Sequence, residues 1–436
     1  MANRKVLIIT YYWPPSGGSG VQRWLKFTKY LTRKGWEVIV FTPENPSFTI
    51  KDDSLNGDIP DSVEVIRFPI WEPYQIFFKL QRIFGGKEIG QSDFISTGNK
   101  SIFQKISSWI RGNFFIPDAR IFWVKPSVIF LSDFVASNEI NKIITTGPPH
   151  SIHLIGLRLK KKLPDIKWVA DFRDPWSEWD LLDTLSLNSW SKARHRKLEH
   201  EVLTKSDRVV TIAPYHVNRF EKLSNRKVYL ITNGFDAEDF NNIHHTHNDK
   251  FTIRHIGIVD ELRDPRPLMG ALKKLFQEQP DLVNAIEIEF IGNVNSSFKS
   301  FVTTDSMLSR VTSFIKQVPH DELLQIYGKT DLQLLVLANS AIAPGNLPGK
   351  FFEYLASGNP ILAIGPTAGD AANAIGETFS GEVHEHEDEK GITTSLLKFY
   401  TAWQDGVRDA TRNISMYSRD ELTMELIQLL ESLDEK

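Results

Sequence analysis

Apolar residues along the chain fall into short runs separated by longer amphipathic stretches. The runs at 6–10, 38–42, 142–146, 168–171, 208–212 and 228–232 are nearly continuous in Val, Ile, Leu and aromatic residues. Such runs predict strands buried on both faces. Helical spacing occupies 21–31, 189–206 and 215–223. Strand and helix in alternation predict a parallel sheet covered by helices. The pattern lapses over TNGFDAEDFNNIHHTHNDK (232–250), which is polar and has no apolar period. It then restarts, with strands predicted at 251–258, 286–291, 332–337 and 361–364, and helices at 267–277, 321–327 and 350–357.

The expected fold class is α/β, two Rossmann-like doubly wound domains in tandem, facing across a cleft. The expected boundaries are 1–235 for the first domain, 236–250 for a linker and 251–412 for the second domain. A last segment at 413–436, helical from 419 to 433, is expected to pack back on the first. No short-period repeat is visible. A chain of 436 residues is long enough for two cores of ~200 residues each.

One stretch, 71–128, breaks the rhythm. It holds Trp71, Tyr74, Phe77, Phe78, Phe84, Phe94, Phe103, Trp109, Phe114, Phe115, Phe122 and Trp123, with Lys and Arg interleaved and few acids. Aromatic plus basic chemistry suits a peripheral membrane contact. It equally suits an insertion that packs its aromatics on the first domain.

Charge and composition narrow the function classes. The net charge is −3, from 51 basic and 54 acidic residues, which excludes a whole-chain nucleic-acid footprint. The chain has no cysteine, so disulfides, thiolate metal sites and cysteine nucleophiles are excluded. The apolar run ending at Ile9 is shorter than a signal-peptide core, and no run reaches the ~20 residues of a membrane span. The expectation is a cytoplasmic protein, soluble or attached peripherally at the inner face of the membrane.

Two loops carry candidate chemistry. YYWPPSGGSGVQRW (11–24) joins the first strand to the first helix. A loop there lies at the carboxyl end of a strand, where open α/β sheets bind ligands. The helix start offers unpaired N–H groups to an anion, and Gly17 and Gly18 allow close backbone approach. A plain surface turn would also use these glycines. The second loop runs through LANSAIAPGNLPGKFFEYLASGNPILAIGP (337–366). Lys350 at a helix start is a natural phosphate partner. Glu353, one turn on, has the acceptors for a ribose diol. The same two residues also fit a solvated i,i+3 pair.

The stretch PGKFFEYLASGNPI resembles the donor-binding helix of family 4 glycosyltransferases, which have the GT-B fold. In chain order, the 11–24 loop, DFRDPW (171–176), ITNGFD (231–236) and GIVDELRDPRPLMGAL (257–272) also resemble that family, so the likeness spans nearly the whole chain. The resemblance implies a nucleotide-sugar donor, a glycan or lipid-linked acceptor and retention at the anomeric carbon. It implies that Gly17 and Gly18 face the donor diphosphate and that Arg263 and Lys350 bind it, with Arg266 competing for Arg263's role. Glu353 matches the ribose carboxylate, Val318 the base contact and His150 a histidine near the transferred sugar. Many members carry an earlier glutamate where this chain has Gly345. Backbone N–H groups of Gly345, Asn346 and Leu347 are expected to replace it.

The chemistry expected from these residues is electrostatic. Sugar departure leaves a more negative diphosphate, which Arg263, Lys350 and helix N-termini stabilise. No metal or cofactor is required on that reading. Asp171, Arg173 and Asp174, at a strand end, either orient the acceptor, with Asp171 accepting its proton, or form a structural ion-pair cluster. The histidines of HHTH (244–247) and HEHEDE (384–389) suggest metal ligands by residue type alone, since both sit in polar loops. A nicotinamide dehydrogenase is disfavoured, because G-x-G-x-x-G is absent from the first loop. A sugar-nucleotide epimerase and a non-catalytic sugar-nucleotide or glycan binder are the alternatives.

Overall fold

The structure is a computed structural model that describes residues 3–48, 51–73, 102–178, 182, 184–241, 243–407 and 412–435. Within the aromatic and basic stretch, 74–101 lies outside the described residues. The chain forms two compact units. One is Met1–Thr232 with Leu422–Lys436, and the other is Asn233–Glu421.

In the first unit, side-chain alternation decides the layers. In β1 (Lys5–Ile9), Val6 and Ile8 enter one buried cluster and Leu7 and Ile9 another. Successive side chains leave a strand on opposite faces, so a strand apolar at every position needs cover on both. The cover on one face is α1 (Ser19–Arg33), through Val21, Trp24 and Leu25, with Leu422, Leu426 and Leu430 of the C-terminal segment. The other face is covered by four further helices. The α2 helix (Ile102–Phe114) comes first in the chain but is not one of them; they are α3 (Ile121–Ser137), α4 (Ser151–Lys162), α5 (Ser189–Lys205) and α6 (Pro214–Ser224). The C-terminal segment is also held by charge. Lys142, fully buried, pairs with Asp434 at 2.8 Å and donates to the Asn3 carbonyl at 2.9 Å.

The sheet adds β2 (Glu37–Pro43), β3 (Glu64–Phe68), β4 (Lys142–Gly147), β5 (Lys167–Phe172), β6 (Arg208–Thr211) and β7 (Tyr229–Leu230), all parallel, in the order β3-β2-β1-β4-β5-β6-β7. The second unit repeats the plan with β8 (Phe251–Ile256), β9 (Ile286–Ile291), β10 (Thr312–Ile315), β11 (Leu332–Val336), β12 (Ile361–Ile364) and β13 (Gly381–His384). Their order is β10-β9-β8-β11-β12-β13, again parallel. Each sheet therefore reverses its winding once, between β1 and β4 and between β8 and β11. Doubly wound sheets bind ligands outside the strand ends at such a point.

The sequence pattern does not mark β3, β10 or β13. All three are edge strands with partly exposed residues, so no continuous apolar run announces them. The stretch 228–232 contributes only Tyr229–Leu230 to the sheet. The polar segment 232–250 contains one short helix, Ala237–Phe240. In the described part of 71–128 the aromatics divide. Trp123 is buried and stacks on Phe41 at 5.0 Å, whereas Trp71, Trp109, Phe114 and Phe122 are exposed. Among the described residues no helix is long and apolar enough to cross a membrane.

Helix α4 can lie close to β5 because Gly156 has no side chain. A Cβ there would overlap Cε2 and Nε1 of Trp168. Gly156→Ala is expected to destabilise the protein by about 1–3 kcal/mol through overpacking, after a partial offset from alanine's better helix propensity. Urea denaturation checks this. Adding Trp168→Phe should give a double variant less destabilised than the sum of the two single changes, and strict additivity would mean that this contact is not the cause.

Candidate functional site

In the second unit Arg263, Lys350 and Glu353 follow the two switch-point strands, β8 and β11, in the chain. The loop after β8 carries Arg263. Its backbone N–H and its Nη1 both donate to Asp260, at 2.8 Å each. Asn339, after β11, donates its backbone N–H to the Leu262 carbonyl at 2.8 Å, which joins the two loops. Arg266 is turned elsewhere. It opens the helix Arg266–Glu278, pairs with Asp264, donates to Ser297 at 2.8 Å and lies 5.3 Å from the Phe301 ring centroid. Of the two arginines, Arg263 is the one left on the switch-point loop, with 41% of its side chain exposed.

Lys350 is the second residue of the helix Gly349–Ala356, whose N-cap is Pro348. Proline costs nothing just before a helix, where no N–H partner is lost. Lys350 Nζ lies 3.0 Å from Glu353 Oε2, and the Tyr327 hydroxyl donates to the same oxygen at 2.5 Å. Burial alone would raise the Glu353 pKa. Lys350, His320 and the Tyr327 hydroxyl outweigh it, so the carboxyl stays below its usual range and ionised. The pair is thus mostly buried and triply supported, unlike a solvated i,i+3 contact. Tyr354, on the same helix, accepts from the Ile256 N–H at 2.8 Å and ties the helix to the end of β8. Val318 lies in the loop before the helix His320–Gly328, part-buried.

The loop that departs from the family pattern is used differently from expectation. Gly345 donates its N–H to Ile342 and Asn346 donates to Ala343, both at 3.0 Å, closing the turn Ala343–Gly345. Those two N–H groups are therefore committed inside the turn. Of the three expected donors, Leu347 alone has no backbone acceptor of this kind among the described residues.

In the first unit, Gly17 and Gly18 lie before α1. Gly18 is its N-cap at φ 90°, a conformation that favours glycine. Asp171, at the end of β5, is fully buried. Its carboxylate accepts from Arg23 Nη2 (2.8 Å) and Nε (3.2 Å), Trp24 Nε1 (2.8 Å) and Thr146 Oγ1 (2.9 Å). Burial works to raise its pKa, but Arg23, Arg173 and these donors bring it below the usual range. Both carboxylate oxygens thus take buried donors. Of the two readings of Asp171, the geometry displays the ion pair. The same holds for Arg173, expected on the acceptor side. It is buried and donates to the carbonyls of Gly20 (2.9 Å), Gly147 (3.2 Å) and Pro148 (2.6 Å), clamping the loops after β1 and β4 together. Asp174 lies just beyond, partly buried, and its charge supports that of Arg173.

His150 sits at the N-cap of α4, buried, its ring stacked on Trp176 at 5.1 Å and 5°. Burial first, then His153, His195 and Arg173, hold its pKa well below the usual imidazole range, so the ring is neutral. Trp176 is itself fixed. Its Nε1 donates to His195 Nδ1 at 3.0 Å, and its N–H donates to Glu199 at 3.0 Å. Asp118 accepts from the N–H and hydroxyl of Ser151 beside His150, at 2.9 and 2.8 Å.

The sequence pattern did not point to Arg23, Trp24, Asp118, Trp176, His195, Glu199, Asp239, His320 or Tyr327. One signal was present: Tyr327 follows His320 by seven residues, two helical turns, which puts both on one face. Neither histidine-rich stretch assembles a metal site. His384 pairs with Asp388 at 3.1 Å and Ser395 at 2.7 Å, and His247 stacks on Trp403. Among the described residues no group of three or more His, Asp or Glu is placed to hold a metal ion.

No protein-family model and no curated protein matches the chain. Solved structures do match. A glycosyltransferase from Rickettsia africae ESF-5 is 12% identical, with a TM-score of 0.64 and 100% of each chain covered. The fold is that of the GT-B glycosyltransferases. Sucrose-phosphate synthase from Thermosynechococcus elongatus is also 12% identical, with a TM-score of 0.63 and 98% of each chain covered. A protein assigned as a UDP-N-acetylglucosamine 2-epimerase from Listeria monocytogenes is 11% identical, with a TM-score of 0.57, covering 100% of this chain and 97% of that one. At these identities the likeness is one of fold, so the GT-B framework is common ground and the chemistry rests on the residues above.

Asp171→Asn is expected to cost about 3–5 kcal/mol at pH 7, because it leaves the Arg23 guanidinium buried opposite a neutral amide. The sign with pH follows from the lowered pKa. The stabilisation is present above the unfolded value of about 3.9 and is lost as pH falls through the lower folded value. Denaturation curves at neutral and acidic pH check both statements: the gap between wild type and variant should narrow in acid.

Proposed function

We propose that the chain is a family 4-type glycosyltransferase. It moves a sugar from a nucleotide-sugar donor to a glycan or lipid-linked acceptor, with retention, in cell-surface polysaccharide or glycoconjugate synthesis. The observation that carries this reading is the set at the β8/β11 switch point. A supported, ionised Glu353 stands one turn from Lys350 at a helix start, with Arg263 on the neighbouring loop. Glu353 suits a ribose diol, since Oε2 takes Lys350 and Tyr327 and the second oxygen is available as an acceptor. Lys350 and Arg263 suit a diphosphate, and their charge matters most as the leaving group gains negative charge. These cations make a metal unnecessary. Val318 is assigned to the base.

We assign the neutral His150 to the neighbourhood of the transferred sugar, and the loop of Gly17 and Gly18 to the donor diphosphate and the acceptor. A neutral ring can hydrogen-bond a hydroxyl without repelling the developing positive charge at the anomeric carbon. The exposed Trp109, Phe114 and Phe122 suit contact with a lipid surface bearing a lipid-linked acceptor. The epimerase alternative draws on the Listeria neighbour of the same fold.

A thermal-shift panel tests the reading, using UDP, GDP, ADP, CMP and dTDP with their common sugar conjugates. One nucleotide family is expected to raise the melting temperature of the wild type by several degrees; ligand at 100 times Kd stabilises by about 2.7 kcal/mol. The ligand-induced shift should vanish in Glu353→Ala. With the donor base known, release of nucleoside diphosphate should require an acceptor. Conversion of the donor sugar with no acceptor present would establish the epimerase instead, and no shift with any nucleotide would remove the donor site.

A further inference from the structure

His320 opens the helix His320–Gly328, two residues after Val318. Three elements surround it. From the helix Ala237–Phe240, Asp239 places Oδ2 at 3.6 Å from His320 Nε2, and both side chains are mostly buried. From the helix Gly349–Ala356 come the charges of Glu353 and Lys350. On His320's own helix, Tyr327 donates its hydroxyl to Glu353. His320 thus follows closely in the chain the residue assigned to the base, and its charge acts on the carboxylate assigned to the ribose. Burial alone would lower its pKa. The Asp239 carboxylate at 3.6 Å and the charge of Glu353 outweigh burial, with Lys350 in opposition, so the imidazole holds its proton above the usual range.

We propose that His320 is a positioning residue of the donor site: held by Asp239, its imidazolium steadies the Glu353 carboxylate and supplements Lys350, so that binding of a nucleoside diphosphate group takes up a proton. The inference rests on the donor reading above. The argument is one of charge. Two carboxylates, Asp239 and Glu353, face one imidazolium and one ammonium, a balanced set before ligand arrives. An added diphosphate brings negative charge near Lys350 and so favours the protonated form of His320 further. By linkage, whatever raises the pKa of a group binds more tightly when that group is protonated. Donor affinity must therefore be highest where His320 is charged, and it must fall as pH rises through the elevated His320 value. If ligand raises that value by about half a unit to one unit, Kd rises about three- to tenfold across the titration.

Calorimetry tests this with UDP-glucose, GDP-mannose, ADP-glucose and dTDP-glucose as probes. Their phosphates carry sugar on both ends and do not titrate near neutrality, so any proton taken up belongs to the protein. Titrations run from about pH 6 to about pH 9, in two buffers of different ionisation enthalpy. Wild type is expected to take up a fraction of a proton and to lose three- to tenfold in affinity. His320→Gln should bind with a flat profile near the alkaline limit of the wild type. Asp239→Asn, which keeps the imidazole, should move the titration to lower pH without abolishing it, and it serves if the first variant folds poorly. A wild-type profile retained in His320→Gln, or Glu353-dependent binding that is flat with pH in the wild type, overturns this inference alone. No binding of any probe to the wild type overturns the donor reading and this inference with it.

Discussion

The buried contact between Arg23 and Asp171 is the constraint on which the first unit depends. Arg23 lies on the helix that follows the glycine loop, and Asp171 ends the strand beyond β4. Removing both charges from water is costly, and the attraction offsets that cost only when every remaining polar atom is satisfied. Here they are. Asp171 takes Trp24 and Thr146 as well, and Arg23 sends its Nη1 to the Thr232 carbonyl at 2.7 Å. Such a set tolerates one register of α1 against the sheet. It therefore fixes where the glycine loop leaves β1, and Arg173 then ties that loop to the one bearing His150 through the carbonyls of Gly20, Gly147 and Pro148. The ionic network fixes position, while the apolar faces of seven parallel strands supply the burial.

A comparable dependence runs through the second unit, with a different outcome. Tyr354 anchors the helix Gly349–Ala356 to the end of β8, and Tyr327 meets that helix from the side through Glu353. One carboxylate oxygen is thereby fixed by two donors before any ligand arrives. Preorganisation of this kind reduces the ordering that binding would otherwise require. The absence of a glutamate at Gly345 is compatible with this arrangement, because the turn Ala343–Gly345 closes on its own backbone and leaves the Leu347 N–H at its exit.

How far the sequence revealed this depends on which signal each feature leaves. Strands buried on both faces leave a run of apolar residues, so β1, β2, β4, β5 and the centre of the second sheet were legible. Edge strands such as Gly381–His384 leave no such run. Glycine before a helix and lysine at a helix start mark the two switch points by position alone. Partnership is what stayed hidden. Asp171 in DFRDPW fitted an acceptor-side base and an ion pair equally well, because its partner Arg23 lies 148 residues away and looks like any basic residue on an amphipathic helix. His320 lies two residues after Val318, yet Asp239 sits in a polar segment that reads as linker, so nothing local joins them. Periodicity reports burial; only the folded chain reports which charges meet.

The two switch points share a topology and differ in how they treat charge, and that difference bears on function. In the first unit Arg23, Asp171 and Arg173 are buried and matched against one another or against carbonyls. In the second unit Arg263 and Lys350 keep 41% and 28% of their side chains exposed, each beside a carboxylate rather than enclosed by one. A partly exposed cation meets an incoming anion at smaller cost than a buried, matched one. On the proposed reading a diphosphate takes its partners from the second unit, and the first unit, with a neutral histidine stacked on tryptophan, serves an uncharged hydroxyl. The proposed assignment of donor to one unit and acceptor to the other rests on this asymmetry of charge.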